Sequence, residues 1–249
     1  MELHQEGVSQ LEIYHYFDNF RQFLGRHGRD EEEGLLGDCL NHILGFCSPS
    51  QQWFEGGLTQ EEIEDYQNTH ETRVIISGCS GGGKSTLLEE LERRGYAVQP
   101  EPGRLVVQEQ LAAGTNALPW ENPIWFSELC AEKAIAFYDA ATKIDGPVFF
   151  DRSPFDQYSG LKRAVLPVPP AVENAITHCR FHRTVFLTPP WEEIYAMDNE
   201  RRHSFTKAVS EYNALLEDYP TFGFRIVLLP KGTVEERADF VEQELKLKG

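Results

Sequence analysis

Gly78-Cys79-Ser80-Gly81-Gly82-Gly83-Lys84-Ser85-Thr86 is the stretch that decides the fold. It reads as G-x-x-x-x-G-K-[ST], the pattern of a phosphate-cradling loop between a strand and a helix. Both flanks agree with that reading. Arg73-Val74-Ile75-Ile76-Ser77 is a short β-branched run before it, and Leu87, Leu88 and Leu91 recur at helical spacing after it. Glycines let the backbone curl so that several N–H groups converge on one anion. The helix that follows adds the positive end of its dipole. Lys84 is then expected to reach the β- and γ-phosphates of a nucleotide, and the Ser85 hydroxyl to hold Mg²⁺. Gly78, Ser80, Gly81, Gly82, Gly83 and Thr86 complete the expected cradle.

Outward from this loop, strands and helices alternate, as βαβ units on a parallel sheet do. Strands are expected at 73–77, 96–99, 147–151, 184–187 and 224–229. Helices are expected near 84–94, 104–113, 123–143, 155–164, 171–178, 190–196, 200–218 and 233–247. The fold class is therefore α/β: a P-loop NTPase with a mainly parallel five-stranded sheet flanked by helices, plus an N-terminal helical extension. The expected boundary separates residues 1–70 from residues 71–249.

Ligands of such sheets bind at the carboxyl ends of the strands, so the residues there matter most. Val148-Phe149-Phe150-Asp151 is an apolar strand ending in a carboxylate, the oxygen ligand that Mg²⁺ between two phosphates requires. Asp151 is thus a metal candidate beside Ser85. Glu101, stiffened between Pro100 and Pro102, is the candidate general base toward an attacking hydroxyl. Arg104, Arg152, Arg201 and Arg202 are candidate phosphate clamps, because a planar guanidinium binds two phosphate oxygens at once. The run Asp198 to His203 is expected to close over the transferring group and exclude water. Trp120, Trp125 and Phe126 are candidate stacking groups for the acceptor. Thr142-Lys143-Ile144-Asp145 spells a guanine-binding motif, but it precedes the Asp151 strand, where that motif has no such role.

The 249 residues carry a formal net charge of −17. Such a surface repels polyphosphate backbones, so no nucleic-acid partner is expected. Residues 1–72 hold 15 Asp/Glu against 3 Lys/Arg, a net of −12, which leaves −5 for the remainder. The five cysteines are odd in number and lack C-x-x-C spacing, as in an intracellular protein with reduced thiols. No apolar run approaches the roughly 20 residues of a membrane span. The first residues lack the basic and apolar regions of a secretory signal, so the cytoplasm is the expected compartment.

In the extension, apolar positions from Leu11 to Leu24 predict a helix near 8–25. A glycine-punctuated break is expected from Gly25 to Gly34, a second helix from Leu35 to Phe46, and a third capped by Thr59 with Glu62. No chemical motif occurs there; the segment is expected to pack on the core or to bind a second copy or a protein partner.

Together, the motifs around Ser77, Glu101-Pro102-Gly103-Arg104, Leu118-Pro119-Trp120, Asp151-Arg152, Thr188-Pro189-Pro190-Trp191 and Glu200-Arg201-Arg202 resemble the AAA-type P-loop ATPase/kinase group. Leu229-Pro230 and Val234-Glu235-Glu236-Arg237 fit it too, so the resemblance covers about residues 73–246. The layout is also similar to that of deoxynucleoside kinases. That resemblance implies Glu101 as base, Asp151 and Arg152 as the metal and phosphate pair, and Arg201 and Arg202 as a lid. The segment 105–145 departs from those kinases. The expectation is an ATP- and Mg²⁺-dependent transfer of the γ-phosphate to a small, nucleoside- or nucleotide-like acceptor. The rival reading is an ATPase or switch whose extension binds a protein.

Overall fold

The computed structural model describes residues 10, 13, 14, 17, 30–44, 58, 59, 72–194 and 205–247. The chain divides into two compact units, Met1–Thr69 and His70–Gly249. Among the described residues, no helix is long and apolar enough to cross a membrane.

In the first unit, helix α1 spans Asp30–Leu44. The expected break from Gly25 to Gly34 is therefore wrong over its last residues, because Asp30-Glu31-Glu32-Glu33 form the first turn of that helix. Ile13, Leu40 and Ile43 are buried together, with Tyr14 and Phe17 against them. The Gln10 side chain donates to the Ile43 carbonyl at 2.7 Å. The helix expected after Thr59 lies outside the described residues.

The second unit follows the alternation read from the sequence. In chain order it comprises β1 (Arg73–Gly78), α2 (Lys84–Arg93), β2 (Ala97–Gln99), α3 (Pro102–Ala113), α4 (Pro123–Ala141) and β3 (Val148–Asp151). Then come α5 (Pro154–Arg163), α6 (Pro170–His178), β4 (Thr184–Thr188), α7 (Phe205–Thr221), β5 (Arg225–Leu228) and α8 (Val234–Glu244). The helix expected over 190–196 is only a 3₁₀ turn, Glu192–Ile194, within the described residues. Two prolines before it, Pro189 and Pro190, hold the chain extended instead.

The five strands are parallel in the order β2-β3-β1-β4-β5. With β1 in the centre, its side chains are buried on both faces, which is why it reads as an unbroken apolar run. Val74 and Ile76 pack with Leu87 and Leu91 of α2, Phe186 and Val241. Ile75 packs on the opposite face with Val185, Leu187, Tyr212 and Leu215. The register sets Asp151 beside Ile76, and Thr188 beside Gly78. Both neighbours of the central strand thus deliver a polar residue to the place where the glycine loop leaves it. At the other end, Arg73 donates to the carbonyls of Ile144 and Gly146, each at 3.2 Å. The Thr142–Asp145 run is therefore part of a turn at the amino ends of the strands, away from the loop.

Candidate functional site

Positive φ angles at Gly78 (112°), Gly81 (79°) and Gly83 (77°) turn the loop between β1 and α2. A Cβ on Gly78 would lie 2.5 Å from the backbone of Thr188, so this position admits no side chain. The Cys79 amide donates to the Thr188 carbonyl at 2.9 Å, and the Thr188 hydroxyl donates to the carbonyls of Ser77 and Cys79. Lys84 is buried, with Nζ donating to the Cys79 carbonyl at 3.0 Å. Burial pushes its pKa down, with the Arg152 charge adding to the effect. Cys79 itself is fully buried and serves as a small residue in a tight loop.

Arg152 follows β3 with φ 68°, a left-handed conformation that a side-chain-bearing residue adopts only under constraint. The constraint is a ring of carboxylates. Arg152 lies 3.2 Å from Glu101, 3.0 Å from Asp156 and 2.8 Å from Glu211. The Glu101 contact is an ion pair only, since Nε makes no hydrogen bond. Those carboxylates, with Asp151, keep the Arg152 pKa well above its usual value against the opposing effect of burial. Asp156 is locked in turn: it accepts from Tyr219 at 2.7 Å, from the Ser153 amide at 2.9 Å, and from the Ser77 hydroxyl.

Asp151 differs from the other carboxylates. It is buried, and its Oδ1 has no hydrogen-bond partner. Burial raises its pKa to about 6, with Lys84 opposing and Glu101 adding to the rise. A buried, unpartnered carboxylate oxygen is costly unless something positively charged completes it.

Lys84, Asp151, Arg152 and the carboxylates around Arg152 open on one cavity of about 730 Å³. Ser80, Gly81, Gly83, Lys84, Ser85, Thr86, Glu101, Arg104, Asp151 and Arg152 line it. Gly78 and Gly82 do not; they pack against Thr188 and shape the loop from behind. Arg201 and Arg202 lie outside the described residues. Trp120 and Phe126 line the cavity, whereas Trp125 does not. The reason is helix phase: Trp125 lies in the first turn of α4, next to Phe126, and the turn of 100° between neighbours carries it outward.

Two residues of the site escape the motifs, and a third, Arg237, lies in a quoted motif that gave it no role at the site. Glu211 comes from α7, and no local signal marks it. Asp156 had a signal in Ser153-Pro154-Phe155-Asp156, a capping-box spacing that also happens to fix Arg152. Arg237 is buried on α8, donating to the Gly83 carbonyl at 3.0 Å and the Gly82 carbonyl at 3.2 Å. Its guanidinium carbon stands 5.8 Å from the Trp191 ring centroid, a cation–π distance. Loop and Trp191 are thereby tied together at one end of the cavity.

Comparison with known proteins identifies the family and the fold. A family model described as an AAA domain matches residues 73–237, well over half of the chain. The chain belongs to the AAA domain family. No curated protein matches it in sequence. Among solved structures, this AAA domain is similar to a NadR protein in complex with NR, with a TM-score of 0.55 and 16% identity. That match covers 74% of this chain and 54% of the NadR chain, so the AAA domain protein spans about half of NadR's length. It is also similar to deoxyadenosine kinase from M. mycoides with the products dCMP and dCDP bound. There the TM-score is 0.50 and the identity 15%, over 71% of this chain and 100% of the kinase. The AAA domain here therefore has a P-loop kinase-like fold.

Proposed function

We propose that this protein is a phosphotransferase that moves the γ-phosphate of ATP, with Mg²⁺, to the hydroxyl of a small nucleoside-like acceptor. The observation that carries the reading is the convergence of Lys84, Glu101, Asp151 and Arg152, from three different strand ends, on one cavity. An ATPase needs room for a nucleotide and a water; a cavity of about 730 Å³ suits a nucleotide with a second organic molecule.

The residues fit both groups that the reaction needs. The backbone curl at Gly81 and Gly83, with the Lys84 ammonium, suits a polyphosphate. Asp151 and Ser85 offer hard oxygen ligands, and the unpartnered Asp151 Oδ1 suits a cation. Mg²⁺ held there would neutralise charge on the phosphate oxygens. Lys84 leaves the loop carbonyls for the phosphates. Arg152 orients Glu101 beside the transferring group, and Glu101 takes the proton of the attacking hydroxyl. Arg104, on the first turn of α3, contributes positive charge at the cavity wall. Arg237 and Trp191 hold the nucleotide end of the loop.

The test is calorimetry with Mg²⁺·ATP, followed by ADP release in the presence of a nucleoside panel. Acceptor-dependent ADP release is expected. Release that never depends on an acceptor would assign the protein to the ATPases instead.

A further inference from the structure

Helix α5 runs ten residues from the transfer centre toward the far end of the cavity. One side of it is core. Phe155 meets Phe224 with ring centroids 4.8 Å apart, Tyr158 meets Phe222 at 4.9 Å, and Lys162 pairs with Asp218. The other side, Gln157, Gly160, Arg163 and Ala164, lines the cavity. That spacing of three and four is one helical face.

Gly160 is the anomaly on this face. A glycine in a helix interior costs roughly 0.5–1 kcal/mol against alanine. Packing does not explain it, because a Cβ there would meet nothing within 4 Å. Its φ is not positive, so the backbone does not require glycine either. What its missing side chain does is leave the cavity wall flat. Arg163 lies seven residues beyond Asp156, about 10 Å along the axis at 1.5 Å per residue. That is the span of a pentose with its base. Arg163 is exposed, and among the described residues its side chain has no hydrogen-bond or ion-pair partner, in a protein whose net charge is −17. Across the cavity, Phe126 stands near Glu101: a Cβ on Gly103 would lie 3.4 Å from the Phe126 ring and 3.6 Å from Glu101 Oε1.

We propose that the open face of α5 is the acceptor bed, that Gly160 lets a planar base lie flat on it, and that Arg163 reads the base edge. Arg163 only donates hydrogen bonds, so it is matched best by an edge with a carbonyl acceptor, whereas the N1 and N7 acceptors of adenine each adjoin an amino donor that opposes the guanidinium. The acceptor class is then a nucleoside with a carbonyl-bearing base, its sugar hydroxyl toward Glu101. This rests on the phosphotransferase reading and adds the determinants of its second substrate.

The experiment uses the full chain with adenosine, cytidine, uridine and guanosine as probes. Mg²⁺·ATP binding is measured by calorimetry, acceptor kinetics by ADP release, and folding by thermal melt. For Gly160→Ala the expected result is a higher melting midpoint, ATP affinity within twofold, and an acceptor KM raised at least fivefold. For Arg163→Gln the preference for carbonyl-bearing bases over adenosine falls at least fivefold, with ATP affinity unchanged. A Gly160→Ala acceptor KM that moves less than fivefold overturns the proposal. So does a wild type that binds Mg²⁺·ATP and phosphorylates none of the four nucleosides. A wild type that binds no Mg²⁺·ATP fails earlier and sinks the phosphotransferase reading along with it.

Discussion

The two ends of the cavity hold strained backbone in opposite ways. At the phosphate end, the left-handed positions Gly78, Gly81 and Gly83 are all glycines, so residue type alone permits the curve. Toward the proposed acceptor end, the left-handed positions are Arg152 and Val165, which carry full side chains. There the conformation is imposed, at Arg152 by Glu101, Asp156 and Glu211. The lesson is that one half of the site is built by local backbone rules and the other by contacts between distant elements. Each half should therefore fail differently when it is altered.

The largest expected effect lies at the phosphate end. Lys84→Ala removes the buried ammonium and should lower turnover by about 10³-fold, the scale of losing a preorganised charge at a transition state. ATP affinity should fall with it, since the same group meets the ground-state phosphates. Next comes Glu101→Gln, which keeps the shape but not the basicity. We expect kcat to drop by about 10²-fold or more with ATP affinity unchanged. If calorimetry instead finds weaker ATP binding with kcat intact, Glu101 belongs to the phosphate end and the division between halves is misplaced.

This division also explains what could be read from the sequence. The strands, their parallel arrangement and the loop were legible because each depends on short runs: β-branched residues, glycines at fixed offsets, helical periodicity; the order that puts β1 in the centre was not, since it depends on pairing between distant strands. Asp151 was legible because it ends an apolar strand. Glu211 was not, because its meeting with Arg152 joins α7 to the end of β3, 59 residues apart, and nothing local encodes that contact. Arg237 stands in a motif that the sequence shows, but its contact was not legible for the same reason: it reaches the loop carbonyls from a helix 154 residues downstream of Gly83. Trp125 does not line the cavity because the 100° step from Phe126 carries it toward solvent, a phase that three neighbouring aromatic candidates in the sequence do not reveal. The start of α1 was not legible because a run of four acidic residues between glycines reads as a loop from composition alone.

A smaller effect tests whether the phosphate end is strained as well, by charge if not by backbone. Burial lifts the Asp151 carboxyl from its ordinary 3.8 to about 6, so the native state holds the proton more tightly than the unfolded chain. The sign follows: stability of the ligand-free protein falls as pH rises from about 4 to about 6, then stays level in this respect. A shift of about two units at about 1.4 kcal/mol each makes the loss about 3 kcal/mol as an upper value. Asp151→Asn should therefore stabilise the ligand-free protein by about 1–3 kcal/mol at pH 7 and flatten its melting midpoint across that pH window. The same variant should lose stabilisation by Mg²⁺·ATP. A variant that is less stable than wild type at pH 7 would mean that Lys84 already satisfies Asp151, leaving no vacancy for a cation.

The smallest expected effect probes the acceptor end. Val165 has φ 56° and is 91% exposed. Its amide donates to the Lys162 carbonyl, and the Leu166 amide donates to the Leu161 carbonyl, which together close α5 in the manner of a Schellman cap. That position normally favours glycine, and a β-branched residue there costs roughly 1–2 kcal/mol. Val165→Gly loses almost no packing, since the side chain is in solvent, but gains backbone entropy in the unfolded chain. The net expected gain is about 0.5–1 kcal/mol, or a rise of a few degrees in the melting midpoint. Ala164 and Leu166, on either side, line the cavity. If the gain in stability comes with no change in acceptor KM, the strain is merely tolerated. If KM rises as the protein becomes more stable, the strained turn is what holds Leu166 against the acceptor, and the acceptor half is tuned by imposed backbone just as the phosphate half is tuned by glycine.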